Sequence, residues 1–261
     1  PGRVKILLES AAIDAIRWAL DTRLADGVFV TPAALDADAF GIDAAAQVES
    51  ISRVTSAPIL VTVGAVTADD LHRVGRELAK IADHIVVALP FVEDGIAAMN
   101  RLSTEGFHVA ATFVVTPMQA LLAAKAGAAH VCVSIDELDA HGHDPSHVLR
   151  VTRALFDRHG IESELVAVTG TSARLVTEAF AAGADAVAVT PDTLRGLAQH
   201  PLTDRALDQM LGALSRRPRG RCRLHLPRRA GAEPGRPQPE GPAAVGHRQR
   251  RVHRPADRAG R

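Results

Sequence analysis

The chain has 261 residues, of which 47% are apolar, so disorder is excluded for most of its length because it can bury a large core. Its 30 basic and 30 acidic residues cancel, but the charges are unevenly placed. Residues 216–261 hold 14 arginines against 3 acids, a net charge of +11, while residues 1–215 hold 16 basic against 27 acidic side chains, a net charge of −11.

Short β-branched runs alternate with longer amphipathic stretches between Val4 and Leu214, the pattern typical of βαβ units around a parallel sheet. The predicted strands are Val4–Leu8, Gly27–Val30, Ile59–Val63, His84–Leu89, His108–Val115, His130–Ile135, Glu164–Thr169 and Ala186–Thr190. The predicted helices are Ala11–Arg23, Asp43–Thr55, Ala68–Ala82, Glu93–Glu105, Met118–Ala126, Pro145–His159, Ala173–Ala182 and Thr193–His200. Eight such units in about 210 residues predict a closed (β/α)8 TIM barrel over residues 1–215, because an open doubly wound sheet has fewer strands.

Residues 216–261 form a separate region of biased composition. They lack lysine, isoleucine, phenylalanine and tryptophan and hold 7 of the 15 prolines. Such a segment cannot bury a core, so we predict a disordered basic tail, or an out-of-frame read through GC-rich DNA. Nucleic-acid binding is the alternative, but aromatic residues are not interleaved with these arginines.

Cysteine content and hydropathy bear on the compartment. Cys132 and Cys222 are the two cysteines of the chain, so no disulfide framework is expected. No apolar run reaches the roughly 18 to 20 residues that cross a bilayer, and no signal-peptide pattern opens the sequence. We therefore expect a cytoplasmic protein without membrane contact.

Active sites of such barrels lie at the carboxyl ends of the strands, so the residues that close each predicted strand are the candidates. They form a hydroxyl-rich ring with few charges. The ring comprises Glu9, Ser10, Thr31, Thr62, Gly64, Ala88, Thr112, Thr116, Ser134, Asp136, Thr169, Thr171 and Thr190.

Several segments in chain order carry a resemblance to a known family. They are Ile6–Ser10, Gly27–Pro32, Ile81–Pro90, Glu93–Ala111, Thr112–Gly127, Asp139–Gly142 and Ala181–Val189. Over about residues 4–214 the sequence resembles the transaldolase family, in particular its short subgroup that includes fructose-6-phosphate aldolase. The resemblance implies a TIM barrel of sugar-phosphate metabolism that needs no cofactor or metal and assembles as a homo-oligomer.

The resemblance also implies a Schiff base between a strand-four lysine and a ketose, but the matching position is Ala88. An alanine cannot form an imine, and the three lysines, Lys5, Lys80 and Lys125, fall elsewhere in the predicted elements. Thr112 matches the family's strand-five threonine, and Thr169 replaces a strand-seven serine. The other departures are Glu9 for Asp, Thr31 for Asn, Thr62 for Gln, Ser134 for Tyr and Glu137 near the phosphate-binding Arg.

Three local patterns each have two interpretations. Glu9 is either an acid or base with a raised pKa or a solvated rim carboxylate. The segment Thr169-Gly170-Thr171-Ser172 either holds a phosphate through backbone N–H groups or supplies N-caps for the next helix. The segment Asp139–Asp144, with two histidines, is either a metal site or a solvated loop, and the spacing favours the loop.

Two hypotheses for function follow from these residues. One is an aldolase-like enzyme with altered chemistry, in which Glu9, Thr112 and Ser134 are the catalytic residues. The other is a catalytically inactive barrel that binds a sugar phosphate, polyol or other small metabolite, or acts as an oligomer subunit. In both, Thr31, Thr62, Thr169, Gly170 and Thr171 are the predicted ligand-binding residues.

Overall fold

Eight parallel strands close into a barrel in a computed structural model that describes residues 4–39 and 41–215. Each strand pairs with the next in sequence, and β8 pairs with β1. The strands are β1 Lys5–Glu9, β2 Gly27–Val30, β3 Ile59–Thr62, β4 Ile85–Pro90, β5 Val109–Val114, β6 His130–Ser134, β7 Glu164–Val168 and β8 Ala186–Val189. The predicted (β/α)8 barrel is confirmed, and every predicted strand is present within one or two residues of its expected ends.

Eleven helices are present among the described residues. They are α1 Ile13–Asp21, α2 Pro32–Asp38, α3 Ala44–Ser52, α4 Ala68–Ala79, α5 Glu93–Thr104, α6 Pro117–Lys125, α7 Ile135–Ala140, α8 Pro145–His159, α9 Ala173–Ala181, α10 Pro191–Leu197 and α11 Pro201–Ser215. Helix α8 has the predicted bounds, and the predicted cap Thr67 accepts a hydrogen bond from the backbone N–H of Asp70. The prediction of eight helices was wrong, because α2, α7 and α11 were not expected.

Two of the unexpected helices begin directly at strand ends. Helix α2 has Pro32 in its first turn and Thr31 as its N-cap, a strong start signal at a residue that the prediction assigned only to the mouth ring. Helix α7 places Asp136 and Glu137 in its first turn and buries Ile135 and Leu138. The segment Asp139–Asp144 is therefore helical as far as Ala140, which corrects the predicted loop.

The core has two layers, because successive side chains of a strand point to opposite faces. One layer lies between the strands and the helices. The other fills the barrel interior with Leu7, Phe29, Leu60, Val86, Ala88, Ala110, Cys132, Val166, Ala186 and Ala188. Since the interior is packed with side chains, only the ends of the barrel are open to a ligand.

Packing divides the chain into a unit up to Gln209, which contains the barrel, and a second unit that begins at Met210. The prediction placed this boundary after Ser215. The predicted disordered tail, residues 216–261, lies outside the described residues. Within the described ranges no helix is both long and apolar enough to span a bilayer.

Candidate active site at the barrel mouth

A cavity of about 490 Å³ opens at the carboxyl ends of the strands. Its walls come from β1, β2, β3, β5, β6 and β7 and from the turns that follow them. The lining residues are Glu9, Phe29, Thr31, Pro32, Ala33, Thr62, Thr112, Phe113, Ser134, Asp136, Glu137 and Val168. Five of the predicted site residues, Glu9, Thr31, Thr62, Thr112 and Ser134, therefore lie around one space.

Glu9 closes β1 and is held by the neighbouring strand. The hydroxyl of Thr31 donates a hydrogen bond to Oε1 of Glu9 at 3.0 Å, and the same hydroxyl accepts from the backbone N–H of Ala34 at the start of α2. Burial raises the pKa of the Glu9 carboxyl, the bond from Thr31 lowers it, and the charge of Asp136 raises it. Glu9 is thus partly desolvated and oriented, as an acid or base must be.

Carboxylates dominate the charge of the cavity. Burial raises the pKa of Asp136, and hydrogen bonds from the backbone N–H groups of Glu137 and Asp136 oppose that shift. Glu137 lies at the rim with 67% of its side chain exposed. Among the described residues, no lysine, arginine or histidine lines this space. Its electrostatic potential therefore favours cationic or neutral ligands over anions.

The threonine hydroxyls that line the cavity differ in their hydrogen-bond partners. Thr112 donates to the carbonyl of Leu89 at 3.1 Å, so its oxygen can still accept a hydrogen bond from a ligand. The Oγ1 of Thr62 is buried and has no hydrogen-bond partner among the described residues. A buried hydroxyl without a partner costs free energy unless a water or ligand satisfies it.

Comparison of the sequence with known proteins identifies the family of this chain. A sequence model described as Transaldolase/Fructose-6-phosphate aldolase matches residues 33–219. The chain belongs to this transaldolase family. It is similar to a "Probable transaldolase" of Caulobacter vibrioides, with 36% identity over 208 residues that cover 80% of this chain and 95% of that protein. A "Probable transaldolase" of Parvibaculum lavamentivorans is 37% identical over 209 residues, with the same two coverages. A "Probable transaldolase 1" of Bacillus cereus is 32% identical over 208 residues, covering 80% of this chain and 96% of that protein. The predicted resemblance to the transaldolase family is therefore confirmed.

The resemblance predicts the family's Schiff-base lysine at the position of Ala88, and this assignment stays a prediction. Ala88 is fully buried in the inner layer of the barrel and is the register partner of Thr62. Lys5 begins β1, where it forms an ion pair with Glu164, and Lys80 and Lys125 end helices α4 and α6. Strand beginnings and helix ends lie at the amino-terminal face of a barrel, opposite the cavity.

The predicted segment Thr169–Thr171 does not line the transaldolase-family cavity. Val166 and Val168 face the barrel interior, so the alternation along β7 directs Thr169 outward, where its hydroxyl donates to the carbonyl of Ala188 at 2.8 Å. Gly170 has a φ of +55°, and a Cβ on it would lie 2.8 Å from Oδ2 of Asp136. A carboxylate thus stands beside the backbone that was predicted to approach a phosphate.

Phe113 is a lining residue that the sequence analysis missed. The pairing of β5 with β6 shifts between Ala111 and Val114, and within this bulge Phe113 adopts a φ of +60°. Its side chain is 62% exposed. Left-handed backbone at a bulky residue is strained, and such strain concentrates at functional sites. No sequence pattern predicts this left-handed backbone, because Phe113 lies within an ordinary apolar strand sequence.

Asp136 and Glu137 were in or beside the predicted ring but were not assigned as site residues. The signal that could have found them is their position two and three residues after Ser134, the closing residue of β6. Farther along, the side chain of Asp139 accepts two hydrogen bonds from Arg174, at 2.8 and 2.7 Å. Within residues 4–39 and 41–215, no group of three or more histidine, cysteine, aspartate or glutamate side chains is placed to hold a metal ion.

Proposed function

We propose that this transaldolase-family barrel binds a small polyhydroxylated metabolite in its mouth without forming a covalent imine. The observation that carries the proposal is the pairing of a hydroxyl-lined cavity with a fully buried Ala88 below it. The hydroxyls of Thr62 and Ser134 can donate to and accept from the hydroxyls of a ligand. Those of Thr31 and Thr112 already donate to Glu9 and to the carbonyl of Leu89, so toward a ligand they are acceptors. Sugar-phosphate metabolism is the setting that the family implies.

Imine formation requires a neutral primary amine within bonding distance of a carbonyl. The lysines that could supply one belong to the opposite face of the barrel, and Lys5 is already paired with Glu164. We infer that the chain lacks the nucleophile that the resemblance implies, while the cavity at the mouth is open. Binding without covalent catalysis is consistent with both.

A retained proton-transfer activity is a second candidate, and the environment of Glu9 favours it. A carboxyl whose pKa is raised by burial can take a proton from the carbon beside a carbonyl more readily than one at its ordinary value. In this hypothesis Glu9 is the base, Ser134 donates to the developing enolate oxygen, and Thr112, whose hydroxyl donates to Leu89, accepts a hydrogen bond from a hydroxyl of the substrate. Thr169, Gly170 and Thr171 stay a prediction as ligand-binding residues.

The test measures binding and chemistry separately. Calorimetric titration with D-sorbitol should give a saturable isotherm, and Thr62→Val should weaken it by about five- to tenfold, the effect of one hydrogen bond. Thr104→Val, at the far end of α5, is the matched control and should leave binding unchanged. The absence of any saturable binding would refute the proposal.

Two further readouts address the chemistry. Borohydride reduction in the presence of dihydroxyacetone should leave the protein mass unchanged, since no lysine reaches the mouth. Deuterium exchange at the carbon protons of dihydroxyacetone, followed by NMR, tests the second candidate. Exchange that Glu9→Gln abolishes would establish proton transfer, and no exchange would leave binding alone.

The predicted cytoplasmic location and homo-oligomeric state belong to this proposal as well. They rest on the cysteine content and on the family. Size-exclusion chromatography with light scattering measures the subunit number directly.

A further inference from the structure

The charges that line the mouth cavity are all negative, and they come from different parts of the ring. Glu9 ends β1, while Asp136 and Glu137 follow β6, which is not a neighbour of β1 in the sheet. A ligand in this space therefore has carboxylates on more than one side. No cationic side chain among the described residues shares the cavity with them.

Among the described residues, Glu9 and Asp136 have no cationic partner inside the cavity, whereas Glu137 at the rim lies 3.7 Å from Nδ1 of His141, which does not line the cavity. The contact that holds Glu9 is a neutral hydroxyl, Thr31, and the bond that holds Oδ1 of Asp136 comes from the backbone N–H of Glu137 at 2.9 Å. Burial disfavours the charged state of both carboxyls, the charge of Asp136 adds to this effect at Glu9, and the charge of Glu137 adds to it at Asp136. A cation between them would offset this cost.

Phe113 provides an independent feature of the same wall. Its ring is 62% exposed although its backbone is strained at a φ of +60°, so no internal packing explains why a phenylalanine stands there. Aromatic faces attract ammonium groups. An aromatic ring together with carboxylates is the chemistry that recognises organic cations.

The hydroxyl of Thr62 adds a second requirement for the ligand. It is buried without a hydrogen-bond partner among the described residues, and it lines the cavity. A ligand hydroxyl would satisfy it. A metal ion fits less well, because in the described part of the chain the carboxylates do not converge as a set of ligands.

We propose that the mouth takes a small organic cation, a primary ammonium group carried on a short hydroxylated chain. Glu9 and Asp136 pair with the ammonium group, Phe113 offers its ring face, and the threonine hydroxyls bind the chain. This inference rests on the proposed function, since both place the ligand in the same cavity. It differs in the charge that the ligand carries, because Asp136 beside Gly170 repels a phosphate.

The experiment compares three ligands with one carbon skeleton. D-glucamine, D-sorbitol and D-sorbitol 6-phosphate carry a positive, a neutral and a negative group on the same hydroxylated chain at pH 7. Calorimetric titration of the full chain should show that glucamine binds at least about tenfold tighter than sorbitol, as charge-assisted hydrogen bonds predict. Sorbitol 6-phosphate should bind more weakly than sorbitol.

Substitutions then locate the charge. Asp136→Asn keeps the oxygen that accepts from Glu137, and it should weaken glucamine binding about tenfold while changing sorbitol binding less than about twofold. Phe113→Leu should weaken glucamine binding by about two- to fivefold. Glu162→Gln removes the same charge from the opposite face and should have no effect.

The outcomes separate this inference from the proposed function. If sorbitol or its phosphate binds as tightly as glucamine, the ligand is not selected by positive charge, and the inference is overturned while the proposed function stands. If none of the three ligands binds, both are overturned. If Asp136→Asn does not fold, the ligand series on the unmodified chain still decides the charge preference.

Discussion

Gly170, in the turn after β7, lies against Asp136, in the first turn of α7, at the barrel mouth. The position that a Cβ would take on Gly170 is 2.8 Å from Oδ2 of Asp136, and the backbone of Gly170 is left-handed with a φ of +55°. The turn after β7 therefore holds a carboxylate of α7 close to the cavity. The position of this carboxylate therefore depends on residue 170 having no side chain.

Gly170→Ala should destabilise the protein by about 1 to 2 kcal/mol, because a Cβ is strained at this φ and collides with the Asp136 carboxylate. Gly196→Ala is the matched control, since a Cβ at this exposed position of α10 meets nothing within 4 Å. It should be neutral or stabilising by up to about 1 kcal/mol. Urea unfolding measures both variants, and equal effects would contradict the contact.

Asp136→Asn should lower the pKa of Glu9, because the charge of Asp136 is one of the causes that raise it. The raised pKa of Glu9 costs stability once the pH exceeds its unfolded value, so relief should increase the free energy of unfolding at pH 7. Carbon-13 NMR titration of the Glu9 carboxyl measures the pKa. An unchanged pKa would mean that the two groups do not interact.

Phe113→Gly should unfold at a higher temperature than Phe113→Ala. Glycine adopts a φ of +60° without a Cβ penalty, so we expect a difference of about 1 kcal/mol in its favour. At Ala154, exposed in the middle of α8, the order should reverse, and Ala154→Gly should cost about 1 kcal/mol. The same order at both positions would show that residue 113 is not left-handed in solution.

His130 should make the protein acid-sensitive. Burial lowers its pKa, Glu164 opposes this, and Lys5 and His108 lower it further. Below the unfolded value of about 6.5 the unfolded chain takes up a proton that the folded chain does not, so stability falls as the pH falls. The loss should approach 1.4 kcal/mol per pH unit at most.

The measurement for His130 is urea unfolding at pH 7.5 and pH 5.5. His130→Gln should reduce the difference between the two values, since its side chain does not titrate. His159→Gln, at the exposed end of α8, serves as the control and should retain the difference. If both variants retain it, His130 is not the group responsible.

Ala88→Lys should place an amine below the cavity, where desolvation lowers its pKa and leaves a neutral fraction for imine formation. We expect lower stability and a borohydride-trapped adduct with dihydroxyacetone. Carbon–carbon cleavage should gain little, because Ser134 stands where the resemblance implies a tyrosine, and a positioned proton donor is worth about 10² to 10⁴ in rate.

Ala88→Met controls for side-chain volume in this experiment, and it should lose stability without forming an adduct. A folded Ala88→Lys protein that traps no dihydroxyacetone would show that residue 88 does not reach the ligand. An adduct on the unmodified chain would contradict the position assigned to its three lysines.

The barrel itself was predictable from the sequence because the signals are local. Eight buried β-branched runs and the helices between them carry their own periodicity, and a closed parallel barrel is the arrangement that covers all of them. The unexpected helix α2 shows the limit of this reading. Its Thr31-Pro32 start signal was assigned to the site rather than to a helix cap, although Thr31 serves both.

Some of the residues at the mouth could also be predicted from these local strand patterns. A residue that closes a strand lies at the mouth whatever the rest of the chain does, so Glu9, Thr62 and Ser134 could be placed by sequence alone. Thr169 could not be placed by position alone, because a shift of one residue along a strand moves a side chain to the other face. The alternation of Val166 and Val168 was the signal that its side chain points away from the barrel interior.

The sequence by itself determined the fold class and the alanine at position 88, since both depend on residue identity and local period. Only the tertiary structure decided that Asp136 lies against Gly170 and near Glu9, and that Phe113 turns outward in a left-handed bulge. These contacts join residues that are far apart in the chain. Their geometry depends on how separate strands and the segments after them pack together, and a local sequence pattern carries no information about that packing.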